Sequence, residues 1–474
     1  MKKPNILFIM TDQQRADTLE CCARGTYQID APNLNRLAGE SVVFRNAYCT
    51  QPVCTPSRSS MISGQWPHTN GCIGNNIALP ADAPSVAQGL GGDYHCAYYG
   101  KWHLGDELDA QRGFSEWLSI EDGKYRSHYT NPESLNRRSD YHNYLVSHGY
   151  PPDKKAADGA MVFSRNFAAG LPERHTKSAF LSREAARFIR EYDKEKPFFL
   201  TVGFLEPHPP NFSELNELYD PAALEVGPAF FKKPGPEAPN RMRMLAERFA
   251  AEGCRDHPSA TEADWRRIRA NYYGLVTLID RAVGRILKAL DDAGRAEDTL
   301  VVFTSDHGDM TGDHALGKKD VLYEQSSHIP LLVRAPWLGR EQRLVDGRVS
   351  LIDLAPTIID VGGGEVPAAM QGVTRKDVLE GKATLDDNDV IVEVDTEEEY
   401  VFIPWRSIVS KEGWKMNLCA DDRCELYDLN TDPDELHNLY DDPAQRERVR
   451  DLHARLRRWQ EATNDPAPLP AVPA

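Results

Sequence analysis

Cys54 heads the run Cys54-Thr55-Pro56-Ser57-Arg58 and on to Gly64, with a helix-start residue at Pro56 and a helix-stop residue at Gly64. A cysteine in that place faces the unpaired N–H groups and positive dipole end of a helix, and both stabilise an anionic sulfur or oxygen. Arg58, one turn on, can point back at the same spot. A lone Cys-x-Pro reads as a buried cysteine beside a turn; the full run is far more specific. Other reactive side chains follow short apolar runs: Asp12 and Gln13 after Asn5–Met10, Lys101 and His103 after His95–Tyr99, His208 after Pro197–Phe204, and Asp306 and His307 after Thr299–Thr304. Open α/β sheets place their ligand crevice at the carboxyl ends of their strands. Asp12, Asp306 and His307, with the side-chain oxygen of Gln13, suit a hard divalent cation. Such an ion would polarise bound oxygens and lower the pKa of a nucleophilic hydroxyl.

The Cys54–Gly64 run resembles the signature of the type I, formylglycine-dependent sulfatases of the alkaline-phosphatase superfamily, and the strand-end residues are similar to that family's site. The resemblance implies that a formylglycine-generating maturation enzyme oxidises Cys54 to an aldehyde. Its hydrate would attack sulfur with one hydroxyl and release sulfate by collapse of the second. It implies Asp12, Gln13, Asp306 and His307 as calcium ligands, completed by residue 54, and Arg58 as the residue that orients the nucleophile. Lys101 and His103 match the Lys-x-His pair that binds sulfate, Asn75 an amide beside the sulfate, and His208 the general acid at the leaving oxygen. A lysine of Gly317-Lys318-Lys319 should bind the bridging side; spacing favours Lys319, with Lys318 the fallback. Gln13 and His307 depart from the commoner aspartate and asparagine, and also occur in relatives that hydrolyse phosphonate monoesters and phosphodiesters. A nitrogen ligand leaves room for manganese or magnesium. Those phosphonate enzymes lack the Lys-x-His pair, so Lys101 and His103 favour sulfate.

The elements that must position these groups alternate between strand-like runs and helical stripes. That pattern predicts an α/β fold with a mostly parallel central sheet flanked by helices, alkaline-phosphatase-like under the resemblance. A further strand is expected at Pro330–Arg334. Phe180, Leu181, Phe188, Ile189 and Tyr192 share one helical face, and Tyr272, Leu275, Ile279, Val283, Ile286, Leu287 and Leu290 another. After Gly362-Gly363-Gly364 the pattern changes to short strands at Val390–Val394, Arg406–Val409, Trp414–Leu418 and Glu425–Leu429, closed by a helix over about 443–462. We therefore divide the chain into a catalytic domain, 1–375, and an antiparallel-sheet and helix subdomain, 376–474.

The chain has 474 residues, with 55 Lys and Arg against 72 Asp and Glu, a net charge of −17. That balance argues against nucleic acid or an anionic membrane as partner and disfavours long polyanionic substrates. The expected substrate is a small sulfate ester, of a carbohydrate in particular. The apolar run after Lys2-Lys3 is too short for a signal peptide and no membrane span is evident. Nine irregularly spaced cysteines suit a reducing compartment, hence a cytoplasmic protein; whether it forms a homo-oligomer stays open. Trp405 and Arg406 are candidates for substrate specificity, Asp309, Asp313 and His314 for shaping the site loop, and Asp395–Glu399 for a solvated loop. His68, His95, His128, His142, His148 and His175 read as surface or locally bonded.

Overall fold

The computed structural model describes residues 3–23, 25–122, 131–156, 158–254, 257–395 and 404–471; His128 and the acidic run beyond Asp395 lie outside them. Strands β1 (Asn5–Asp12), β2 (Val42–Tyr48), β3 (His95–Gly100) and β4 (Glu116–Leu118) are followed by a small pair, β5 (Lys154–Lys155) and β6 (Met161–Val162). Then come β7 (Phe198–Pro207), β8 (Thr299–Ser305), β9 (His328–Ile329), β10 (Leu331–Arg334) and β11 (Arg343–Ser350). Apart from β5 and β6 these form one sheet in the order β11-β2-β10-β8-β1-β7-β3-β4, with β9 on β2. Its strands run parallel except β9 and β10. The run at 330–334 is therefore a strand, but a reversed one. The chain leaves β8 at the carboxyl edge and stays there through the 306–327 loop, so the next strand must start from that edge.

The central strands are buried on both faces. In β1, Ile6, Phe8 and Met10 enter one apolar cluster while Leu7 and Ile9 enter the other, the pattern of a strand covered on both sides. Helices Lys177–Glu191 and Glu262–Asp292 cover the second face with the stripes read from sequence. The longer one starts in a capping box, Thr261 with Asp264. β2 and β11 escaped the sequence reading because charge interrupts them: Arg45 is exposed in one and Asp346 in the other.

β12 (Val390–Val394), β13 (Trp405–Val409), β14 (Trp414–Cys419) and β15 (Glu425–Asp428) make the separate antiparallel sheet. One face, with Val390, Val392, Val394 and Val409, joins the core against the large sheet. The other packs Ile391, Ile408, Met416 and Leu426 on Val449, Leu452 and Leu456 of helix Arg446–Thr463. Trp405 and Arg406 correct an expectation here. Trp405 is buried, and Arg406 forks onto Asp465 (2.8 and 2.6 Å) with Asp395 at 2.8 Å. Arg406 ties the C-terminal segment down, and Trp405 packs in the core against the large sheet.

Charge also fastens the small sheet to the large one. Lys415 on β14 sits between Glu324 (3.0 Å) and Glu435 (2.9 Å), and Glu324 accepts from Tyr48 on β2 at 3.0 Å. Lys415 is fully buried, and burial pushes the Glu435 carboxyl up to about 8. Breaking such a buried set costs about 3–5 kcal/mol. Lys415→Met should lower stability to urea by that order, and the deficit should grow as pH rises past about 8, where Glu435 can ionise beside Lys415 but not without it. Acids whose folded pKa lies above the unfolded value contribute stability that is lost as pH rises. A deficit independent of pH would refute this account.

Candidate functional site

The Cys54 run folds as helix Cys54–Ser63, every residue of it buried. It starts at Cys54 itself, two residues before the proline signal, because Pro56 falls in the first turn where no N–H is needed. Gly64, at φ 61°, closes the helix. The Cys54 Sγ lies 3.4 Å from His307 Nε2 and 3.6 Å from Asp12 Oδ1, and receives Lys319 Nζ at 2.7 Å. One ligand atom from each of Asp12, Cys54, Asp306 and His307 lies within 4.8 Å of the others, all four residues buried.

Arg58 holds this group in place, and it does so through the carboxylates. Its Nε donates to Asp306 Oδ2 (2.8 Å), Nη2 to Asp12 Oδ2 (3.1 Å) and Nη1 to the Lys101 carbonyl (2.8 Å). Asp306 Oδ1 in turn accepts the N–H groups of Gln13 (3.0 Å) and His307 (2.9 Å). Burial opposes ionisation of Asp12, but Lys101, His208 and Arg58 outweigh it and hold the carboxyl well below the usual range. Burial and Asp12 likewise push the Cys54 thiol up, while Lys101, Lys319 and His307 prevail and bring it to about 6. The pocket stabilises an anion at residue 54.

Lys101 emerges from β3 at a close approach of two backbones. A Cβ on Gly100 would stand 2.0 Å from the Gly203 carbonyl oxygen of β7, so only glycine fits. The Lys101 ammonium bonds Asp12 Oδ2. His103 adopts φ 60°, a conformation that surrounding contacts must enforce. The N–H groups of Trp102 (3.0 Å) and His103 (2.6 Å) both donate to buried Glu107. The imidazole Nε2 lies 2.9 Å from Asn76 Oδ1.

Asn76 therefore supplies an amide to His103, while Asn75, the residue singled out from sequence, accepts the N–H of Thr55, the neighbour of Cys54, at 3.1 Å. Lys319 reaches Cys54, and it also approaches Gln13 Oε1 at 3.4 Å. The Gln13 amide donates to Asp309, a contact that sequence reading had not assigned. Asp313 pairs with Arg15 (2.7 Å) and Arg269 (2.8 Å), and His314 stacks on Tyr323 at 4.0 Å; these shape the loop. His208 is buried, with its Nδ1 2.7 Å from the Pro209 carbonyl. That bond fixes the proton on Nδ1 and leaves Nε2 as the exchanging atom. Burial first, then Arg165 and Lys101, hold its pKa well below the ordinary value.

Comparison with known proteins finds relatives along almost the whole chain. The sulfatase family model matches residues 4–364, and the model for the C-terminal region of N-sulphoglucosamine sulphohydrolase matches residues 312–462. Choline-sulfatase of Rhizobium meliloti is 30% identical over 460 residues, covering 93% of this chain and 83% of that protein. An arylsulfatase of Clostridium perfringens is 28% identical over 469 residues, 94% of this chain and 92% of its own length. Among solved structures, a phosphonate monoester hydrolase of Silicibacter pomeroyi superposes with TM-score 0.78 at 26% identity, covering 97% of this chain and 96% of that one.

The Arg58 bridge makes a prediction independent of any reaction. Arg58→Met leaves two buried carboxylates without their cation, at a cost of about 3–5 kcal/mol. Chelator-treated variant protein should therefore melt well below the parent, and equal melting temperatures would refute the role given to this bridge.

Proposed function

The chain belongs to the sulfatase family, sulfuric ester hydrolases of the alkaline-phosphatase superfamily, and we propose that it cleaves small organic sulfate esters with formylglycine made from Cys54 and a bound divalent metal. One observation carries the reading: Asp12, Cys54, Asp306 and His307 converge between the ammonium groups of Lys101 and Lys319.

The donor set fits the metal. Oxygen ligands about 2.3–2.6 Å from a calcium ion lie up to about 5 Å apart across it, and these four atoms fall within 4.8 Å. Asp12, Gln13, Asp306, His307 and residue 54 would hold the ion, calcium by preference, with manganese or magnesium accommodated by the imidazole. The ion would supply charge for the sulfuryl oxygens and acidify a nucleophilic hydroxyl. Residue 54, once oxidised by a maturation enzyme, would supply the geminal diol whose collapse frees sulfate.

The chain's own residues then divide the work. Lys101 and Lys319 neutralise the charge that grows on the sulfuryl oxygens. Arg58 keeps Asp12 ionised and aims both Asp12 and Asp306. Asn76 and Glu107 hold His103 beside the group being transferred. His208 offers Nε2 to the leaving alcohol; an anionic ester brought against it raises its proton affinity, so protonation is coupled to binding. The unlinked cysteines support a reducing compartment, in keeping with a cytoplasmic enzyme.

Gln13 and His307 favour a second reading, phosphonate monoester or phosphodiester hydrolysis, to which the Silicibacter pomeroyi structure adds weight. Turnover of an aryl sulfate and an aryl phosphonate monoester with one shared leaving group decides between them. The matured protein should give the higher kcat/KM on the sulfate and Cys54→Ala should give none on either; preference for the phosphonate would install the second reading. Lys319→Ala should lower kcat by about 10²–10³ while Lys318→Ala stays near wild type. The reverse order would shift the sulfate contact to Lys318.

A further inference from the structure

The loop that delivers Lys319 is held in a strained backbone conformation. Between positions 311 and 320, Thr311 (φ 39°), His314 (54°), Ala315 (55°), Lys318 (62°) and Asp320 (73°) all lie in the left-handed region. Side chains disfavour that region, and a β-branched residue such as Thr311 is an outlier there. Strain of this kind persists only where surrounding contacts impose it, and it gathers at functional sites. The loop also folds back on itself. The Met310 N–H donates to the Lys318 carbonyl and the Gly312 N–H to the Leu316 carbonyl, each at 2.8 Å. The first of these bonds grips the peptide unit next to Lys319, so whatever fixes residues 310–313 also fixes the root of that side chain.

The imposing contacts come from helix Glu262–Asp292, which carries none of the residues assigned to the reacting centre. Trp265 and Arg269 stand one turn apart on it and share a face. Trp265 is fully buried and backs both glycines of the loop. A Cβ on Gly312 would stand 3.0 Å from its Cβ, and one on Gly317 2.8 Å from its ring. Arg269, only 4% exposed, makes three contacts at once. Its guanidinium pairs with Asp313 at 2.8 Å, its Nε donates to the Thr311 carbonyl at 3.1 Å, and it lies over the Phe230 ring, 4.4 Å from the centroid. The segment around Phe230 is bonded to the same loop, since the Phe231 N–H donates to the Gly312 carbonyl (2.8 Å) and the His314 N–H to the Ala229 carbonyl (2.7 Å). Burial opposes ionisation of Asp313, but Arg269 and Arg15 outweigh it and hold the carboxyl below the usual range.

Two arginines therefore share the loop, and they differ in what else they touch. Arg15 grips the Met310 carbonyl (3.1 Å) and Thr311 Oγ1 (2.9 Å), but it stands two residues from Gln13, so its loss would disturb the metal side as well. Arg269 reaches the site through the loop.

We propose that Arg269 is a positioning residue for Lys319: it clamps the loop in the strained form that sets the ammonium against residue 54, and its effect on turnover passes through that lysine. The inference rests on the sulfatase reading, which gives Lys319 the sulfuryl oxygens, and adds to it a residue that touches neither ester nor metal. The test is a double-mutant cycle on 4-nitrophenyl sulfate with matured wild type, Arg269→Gln, Lys319→Ala and the double variant, joined to hydrogen exchange of the 308–320 segment. Arg269→Gln should lower kcat/KM about tenfold or more. In the Lys319→Ala background the same change should cost less than about twofold. Its 308–320 segment should exchange at least about tenfold faster than in wild type, with helix Lys177–Glu191 unaltered. If Arg269→Gln does not fold, Phe230→Leu, which removes only the ring under the guanidinium, takes its place in the cycle with the same expectations. Losses that multiply in the double variant, unaltered turnover in the single one, or a loop that exchanges as in wild type would each overturn the inference. Wild type that cleaves no sulfate ester would overturn the sulfatase reading instead, and the exchange comparison would still decide whether Arg269 holds the loop.

Discussion

One buried guanidinium governs this architecture. Arg58 binds Asp12 at the end of β1, Asp306 at the end of β8 and the Lys101 carbonyl at the end of β3. It thereby locks three strand ends to the helix that carries Cys54. Two carboxylates this deep would repel each other without it. Arg58 uses one oxygen of each, and the second oxygens turn toward Cys54 and His307. The same contact that stabilises the fold therefore sets the orientation of the ligand atoms.

The rest of the site follows from that charge. With Asp12 held ionised, Lys101 can be buried and Lys319 half-buried beside residue 54 at tolerable cost, since each finds an anion or a polarisable sulfur within bonding distance. Gly100 and Gly203 let β3 and β7 approach closely enough for Lys101 to reach Asp12. His103 is bent into a left-handed backbone conformation and kept there by Glu107 and Asn76. Strain of this kind persists only where several contacts overdetermine it, and here they converge on the anion pocket.

Much of this was legible in the chain because the central strands are continuous apolar runs. Each such run ends in a conspicuous polar residue, and a parallel sheet gathers those ends on one edge. Legibility failed where the fold depends on contacts between distant segments. β2 and β11 carry charges that pattern reading takes for loops. Arg406 looked like a pocket residue until Asp465, 59 positions away, supplied its partner. The buried cluster beyond β4 gave no sign at all, since Glu121, Arg165 and Lys177 are ordinary charges until three separate elements bring them together.

The weight given to Lys101 over Gln13 and His307 has a physical basis. A sulfate monoester and a phosphonate monoester each carry a single negative charge at neutral pH, so net attraction to the pocket does not separate them. They differ in shape: the sulfuryl group presents three non-bridging oxygens, the phosphonyl group two oxygens and a carbon. Gln13 and His307 act on the metal side, where both esters offer an oxygen. Lys101 and Lys319 stand on two other sides of residue 54, and a donor turned toward carbon loses its partner at a cost of about 1–3 kcal/mol. Under the proposed reading, a site that keeps both ammonium groups would therefore select the ester with a third oxygen, and replacing Lys101 by an uncharged residue would be the change that opens it to phosphonates.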